Sequence, residues 1–266
     1  SVQAVGQTSQ ITVQEDATAE LAEDEKLVCT VDGDTLRIRF MNDANRDGFE
    51  GEKFLTVSLP WELVKNAHFE EIDIETTSAY AYVSADAQKI ELSTLSGDAR
   101  VMGASCPEVE IETTSGNAGA VDGTWAKVDI STVSGAIELA GDTESAEIET
   151  TSGKVDIAGA LGALEFTSVS GDLILASERT LRLDAKTTSG SIDLTLPESD
   201  GFTLTHETTS GALETDLTGR EGTLVACGDN FTRYTVPALD GGGTSELEVL
   251  TVSGGLTIKA SRFESN

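Results

Sequence analysis

One short phrase recurs along this chain at almost constant intervals, and it restricts the fold more than any other feature. TTSA (76–79), TLSG (94–97), TTSG (113–116), TVSG (132–135), TTSG (150–153), SVSG (168–171), TTSG (187–190), TTSG (208–211) and TVSG (251–254) end 18, 19, 19, 18, 18, 19, 21 and 43 residues apart. A fixed short period over this length marks a solenoid in which each repeat is one coil. Within a coil the alternation has period two: Val109, Ile111, Thr113 and Ser115 share one parity, and Glu110, Glu112 and Thr114 the other. That is a half-buried strand. A second alternating run follows the glycine, as in Ile137/Leu139, Val155/Ile157, Leu173/Leu175, Ile192/Leu194 and Leu256/Ile258. Each coil therefore reads as two strands around a glycine corner.

Glycine suits a corner because it adopts positive φ without a Cβ penalty. The Ser and Thr before it can bond the corner backbone and stack on their counterparts about 4.8 Å away in the next coil. The residue before the hydroxyl pair runs Glu75, Ser93, Glu112, Ser131, Glu149, Thr167, Lys186, Glu207, with acids mostly on every second coil. Such alternation spares neighbouring coils a carboxylate repulsion of up to roughly 1 kcal/mol at water's dielectric. A 37-residue coil would stack Glu on Glu, so the shorter coil is favoured.

The expected fold is all-β: a single-domain parallel β-solenoid, or β-helix, with 18–19-residue coils forming two or three short parallel sheets. Right-handed winding is expected because parallel crossovers usually have that hand. Residues 1–70 lack the phrase but alternate in "QITV", "LVCTV", "TLRIRF" and "FLTVSLP", and read as irregular amino-terminal coils and a cap. Residues 71–216 hold the regular coils, 217–260 an insertion with the final coil, and 261–266 a disordered tail. The insertion adds an aberrant coil or a projecting loop before the last copy of the phrase, the bracket of its corner. Atypical ends are expected, since an open solenoid end is an unpaired edge.

Charge narrows the function. The 47 acidic residues against 17 basic ones give a net charge of −30, with the acids scattered singly between aliphatics as on a solvated strand face. A surface this negative repels phosphate backbones and anionic headgroups, which argues against nucleic-acid binding. Cationic partners remain: divalent metal, basic peptides, positively charged wall components. Cys29, Cys106 and Cys227 are widely separated, with neither a disulfide framework nor zinc-ligand spacing. No stretch has the roughly 18 apolar residues of a membrane span, and no leader precedes Ser1, so a signal or anchor would lie outside this chain.

"DANRDG" (43–48) is the one metal candidate. Asp43, Asn45 and Asp47 before Gly48 open a calcium loop, in which alternate oxygens converge on the ion. The twelfth position is Phe54 instead of Glu, leaving Glu50 or Glu52 as substitutes. A polar hairpin loop is the competing reading, and no other cofactor is implied. Carboxylates are so numerous that pairs such as Asp156/Asp193 carry no catalytic information, and cations able to grip an acidic sugar are few: Arg100, Lys127, Lys154, Lys186. His68 and His206 are far apart and read as surface or satisfied histidines. Bracket serines without a base make no nucleophilic mechanism. In chain order the outward corner column is Thr77, Leu95, Thr114, Val133, Thr151, Val169, Thr188, Thr209, Val252, too mixed for an ice-matching threonine lattice.

"GFTLTHETTSG" (201–211) after "LTLP", "ELEVLTVSGGLTIK" (246–259), "FLTVSLP" (54–60) and the serial T-[TV]-S-G brackets together resemble a bacterial domain-of-unknown-function family labelled "putative adhesin". The likeness runs from about residue 10 to 260, departing at Ala79 and in the insertion. It implies a β-solenoid in a cell-envelope or extracellular setting, with some relatives linked to envelope stress, and it brings no catalytic residues. The function expected is a non-enzymatic, adhesin-like interaction surface for an envelope protein, glycan or cationic peptide. The alternative is a carbohydrate-active β-helix enzyme of polysaccharide lyase or hydrolase type, which would need one groove with converging carboxylates.

Overall fold

The computed structural model describes residues 1–5, 10–39, 52–60, 64, 69–217 and 220–261. Two compact units divide the chain, Ser1–Ala67 and His68–Asn266. In the first, β1 (Val2–Val5) runs parallel to β5 (Lys53–Pro60), while β2 (Thr12–Ala17) joins β5 antiparallel. A hairpin of β3 (Val28–Asp32) and β4 (Thr35–Arg39) turns at Gly33, whose φ is +59°. The antiparallel pairings are a finding, since a coil contains none. Lys53, 2% exposed, lies 3.1 Å from Glu15, and that carboxylate also accepts the Leu27 N–H. Burial of the ammonium is tolerable because it is paired with a hydrogen-bonded carboxylate.

The second unit carries the repeat. Its layers are β6 (Phe69–Thr76) with β7 (Ala81–Ser84), then β8 (Ala87–Thr94) with β9 (Ala99–Met102). Next come β10 (Ser105–Thr113) with the start of β11 (Ala118–Ser134), the rest of β11 with the start of β12 (Ile137–Ser152), and the rest of β12 with β13 (Lys154–Gly159). β14 (Leu161–Ser168) with β15 (Asp172–Ser177), and β16 (Arg182–Thr187) with β17 (Ile192–Pro197), complete seven layers in chain order. Every pairing between these layers is parallel, and in register apart from one bulge between Val121 and Gly123, so two stacked sheets face each other across an aliphatic core, as the period-two runs require. Core columns match large to small between layers: Ile130, Ile148, Phe166 and Ala185 are successive register partners, all buried.

The bracket divides its work between two hydroxyls. The first, buried, accepts the glycine N–H: Gly97 to Thr94 Oγ1 at 3.0 Å, Gly116 to Thr113 at 3.0 Å, Gly190 to Thr187 at 3.1 Å. The second, exposed, donates to a carbonyl one layer below: Ser96 to Thr77 at 3.2 Å, Ser115 to Leu95 at 3.3 Å, Ser170 to Thr151 at 3.3 Å.

The reason for glycine differs from the expectation. Only Gly153 among the bracket glycines has positive φ, +148°. At Gly97, Gly116, Gly135, Gly190 and Gly254 the requirement is room, because a Cβ there would overlap the carbonyl of the bracket residue in the layer below. Ala79 follows from the same geometry: it stands in the first bracket, with no earlier bracket beneath it.

After β17 the stacking order departs from the chain order. β18 (Gly201–Thr208) and β19 (Leu213–Asp216) are followed by a hairpin of β20 (Thr223–Cys227) and β21 (Phe231–Val236), then by β22 (Thr244–Thr251) and β23 (Leu256–Ser261). β16 pairs with β22, and β22 pairs on its other side with β18; likewise β17 pairs with β23 and β23 with β19. The final coil is thus the eighth layer, wedged between the seventh and the one formed by β18 and β19. β21 runs antiparallel along the far edge of β18 and covers it. A polar knot holds the wedge. Asp200, buried, accepts Thr180 Oγ1 at 2.9 Å and Gly243 N–H at 3.0 Å, Ser245 Oγ accepts Leu181 N–H at 2.9 Å, and Arg220 donates to the carbonyls of Glu198, Asp200 and Pro237.

Candidate functional site

The outward face of the first sheet is built from three columns of strand residues and a corner ridge. The middle column reads Asp73, Glu91, Glu110, Asp129, Glu147, Glu165, Asp184 and Glu248, eight carboxylates in consecutive layers, ended by Thr205. Neighbouring backbones in such a column are about 4.8 Å apart. Acid on acid is therefore present in this column, to which the alternation read in the Glu75 column does not extend. Water and neighbouring cations make this tolerable. Lys89 Nζ spans Glu91 at 3.0 Å and Glu110 at 3.1 Å, Lys127 reaches Asp129 at 2.6 Å, and Lys186 reaches Asp184 at 3.1 Å. Hydrogen bonds that Lys89 donates to Glu91 and Glu110 raise its ammonium above the ordinary lysine value. At the first layer Asp73 is pushed up, by burial first and then by the charges of Glu91, Glu71 and Glu75.

The flanking columns do alternate. One runs Glu71, Lys89, Glu108, Lys127, and later sets Arg182 beside Glu246. The other is Glu75, Ser93, Glu112, Ser131, Glu149, Thr167, Lys186, Leu250, Glu207, in which no two carboxylates are adjacent. The three columns together hold fifteen carboxylates and four cations. The middle column was legible: an acid stands three residues before every bracket except the one at 208.

The corner ridge is ordered by the wedged coil. In stacking order it reads Thr77, Leu95, Thr114, Val133, Thr151, Val169, Thr188, Val252, Thr209, a strict alternation of threonine and aliphatic that the chain order hides. Leu95, Val133, Val169 and Val252 are 55%, 51%, 52% and 48% exposed.

The second sheet's outward face is different in kind. One of its columns is Tyr82, Arg100, Gly119, Glu138, Asp156, Ile174, Asp193, Thr257, Glu214, and beside it stand Ala140, Ala158 and Ala176. Asp156 and Asp193 are two layers apart with Ile174 between them. Arg100 reaches over Gly119 to Glu138 at 2.8 Å, and Lys154 pairs with Asp156 at 2.8 Å.

Asp43, Asn45 and Asp47 lie outside the described residues, as does His68; Phe54 is on β5 and 55% exposed. His206 is neither at the surface nor satisfied. It is 2% exposed, its Nε2 has no hydrogen-bond partner among the described residues, and it occupies the core column position held by Val249 in the adjoining layer. Burial pushes its pKa below the ordinary value. Cys106 is buried and Cys29 and Cys227 are exposed, all as free thiols. Among the described residues no group of three or more His, Cys, Asp or Glu is placed to hold a metal ion, and no helix is long and apolar enough to cross a membrane.

Among known proteins, a crystal structure of a "putative cell adhesion protein" from Clostridium sporogenes ATCC 15579 is similar at 12% identity, covering 98% of this chain and 87% of that one, with a TM-score of 0.26. No curated protein matches. The family model described as Toastrack DUF4097 matches residues 4–259, nearly the whole chain and all nine brackets, and the chain belongs to that family.

Proposed function

We propose that this chain is a non-enzymatic binding module of the bacterial cell envelope or surface, and that the first sheet's acidic face is its contact surface for cationic partners. The observation that carries this reading is the unbroken column of eight carboxylates flanked by two further acid-bearing columns. A catalytic centre sets one pair of groups apart from the rest in geometry and pKa. This face instead repeats one arrangement layer after layer, which suits a long partner that makes the same contact many times. Its field extends about one Debye length, roughly 8–10 Å in physiological salt, so it recruits cations from solution and selects against anions.

Titration of the intact protein with poly-L-lysine tests the reading. Binding that weakens steeply with salt, and falls at least tenfold in the triple variant Glu110→Gln, Asp129→Asn, Glu147→Gln, is expected. Equal binding by that variant, or release of reducing sugar from wall glycans by the native chain, would contradict it.

A further inference from the structure

Two patterns on the first sheet share one period, and the period selects the shape of a partner. Half-exposed aliphatics stand on the ridge in every second layer, at Leu95, Val133, Val169 and Val252. Carboxylates stand in the adjoining column in the intervening layers, at Glu75, Glu112, Glu149 and Glu207. Lys186 occupies the remaining acid position, and its ammonium is drawn back to Asp184 at 3.1 Å. Each pattern repeats every two layers, about 9.6 Å, and the two are offset by one layer.

We infer that this edge docks an extended cationic polypeptide in the polyproline II conformation, with an apolar residue at every third position against the ridge aliphatics and basic residues between them on the staggered carboxylates. The inference rests on the proposed role of the acidic face and specifies the occupant. A polyproline II helix advances about 3.1 Å per residue with three residues per turn, so one side repeats every ~9.3 Å. From Leu95 to Val252 the ridge spans six layer steps, about 29 Å, and nine polyproline II steps cover about 28 Å. The match holds along the whole ridge, not at one contact. An α-helix repeats its face every 5.4 Å and a β-strand about every 6.8 Å, and neither falls on a two-layer step. A second copy of this chain brings the same carboxylates and is repelled, whereas a stiff cationic peptide loses little conformational entropy on docking.

The test is fluorescence anisotropy on the intact protein near 150 mM salt with labelled 12-residue peptides. (Pro-Pro-Lys)4 is compared with a peptide of identical composition whose four lysines are contiguous, and with (Gly-Gly-Lys)4, which keeps the charge spacing without the stiffness. Binding of the periodic peptide at least tenfold tighter than either is expected. Val133→Thr with Val169→Thr, which keeps β-branched shapes and makes that stretch of the ridge uniformly threonine, is expected to remove that advantage with an unchanged melt and unchanged poly-L-lysine binding. Equal binding of the three peptides, or an unaltered preference in the double variant, overturns the inference while poly-L-lysine binding keeps the acidic-face reading. Loss of both defeats both. Preferential capture of a cationic chito-oligosaccharide over every peptide would replace the polypeptide with a glycan.

Discussion

The first seven layers of the solenoid and its carboxyl-terminal end are made of the same coil and assembled by different rules. From β6 to β17 each coil lies on the one made just before it. At the end the last coil made is the eighth layer, and the coil made before it lies outside. Parallel in-register pairing is indifferent to chain order, because every bracket offers the same hydroxyls and the same glycine-sized gap. Order must then be set by what is not repeated. Here that is the Asp200 knot, the Arg182–Glu246 neighbours, and a long connection through β20 and β21 that carries the chain back.

The sharpest break between the regions and their neighbours comes at the glycines. Gly153→Val in the regular stack and Gly254→Val in the wedged layer both drive a side chain into a neighbouring carbonyl, and each is expected to cost about 3 kcal/mol or more. Ala79→Val, where no bracket lies beneath, should stay within about 0.5 kcal/mol. Urea melts of the three variants make the comparison, and equal midpoints would remove the close-approach explanation.

Next in size is Asp200→Ala, which strands the Gly243 N–H and Thr180 hydroxyl and should cost about 2–3 kcal/mol. Amide exchange should quicken in β22 and β23 and leave β10 and β11 unchanged, since the knot belongs to the end alone.

Acid separates the two ends by sign. The folded value of His206 lies below its unfolded one, so the stability it contributes is present above about pH 6.5 and lost as the pH falls towards the folded value. For Asp73 the folded value lies above the unfolded one, so its contribution is full at low pH and lost as the pH rises through the raised folded value. Protection factors, which discount the slower intrinsic exchange in acid, should fall in β18 between pH 7 and pH 5 and rise in β6 once the pH drops through the folded Asp73 value, and His206→Leu should abolish the first change only.

The smallest effect expected is that of salt. Screening of the acidic columns should raise the melting temperature by about 2–4 °C between low and physiological ionic strength.

The period, the two strands per coil and the alternating Glu75 column are all visible in the residues, because each depends on contacts that recur at fixed spacing. The acidic middle column was equally visible, three residues ahead of the brackets, and was masked by the abundance of acids elsewhere. Two things were not legible. The residues alone suggest a dihedral role for glycine, whereas mostly its role is clearance from the next layer, a distance that exists only after stacking. The ridge looked irregular because Thr209 precedes Val252 in the chain while Val252 lies between Thr188 and Thr209 in space. Layer order beyond residue 217 depends on a connection that carries no repeat.

Paired cysteines on the exposed column read that order directly. Lys186 and Leu250 are register partners, as are Leu250 and Glu207, so Lys186 and Glu207 stand two layers apart. Backbone separations of about 4.8 Å for the first pair and about 9.6 Å for the last fall inside and outside the roughly 7 Å limit for a disulfide. With Cys29 and Cys227 changed to serine, the double variant Lys186→Cys, Leu250→Cys should form an intramolecular disulfide on mild oxidation, and Lys186→Cys, Glu207→Cys should stay reduced. Rapid bridging of the Lys186/Glu207 pair, with the Lys186/Leu250 pair left as free thiols, would show that the coils stack in chain order and would contradict the wedged layer.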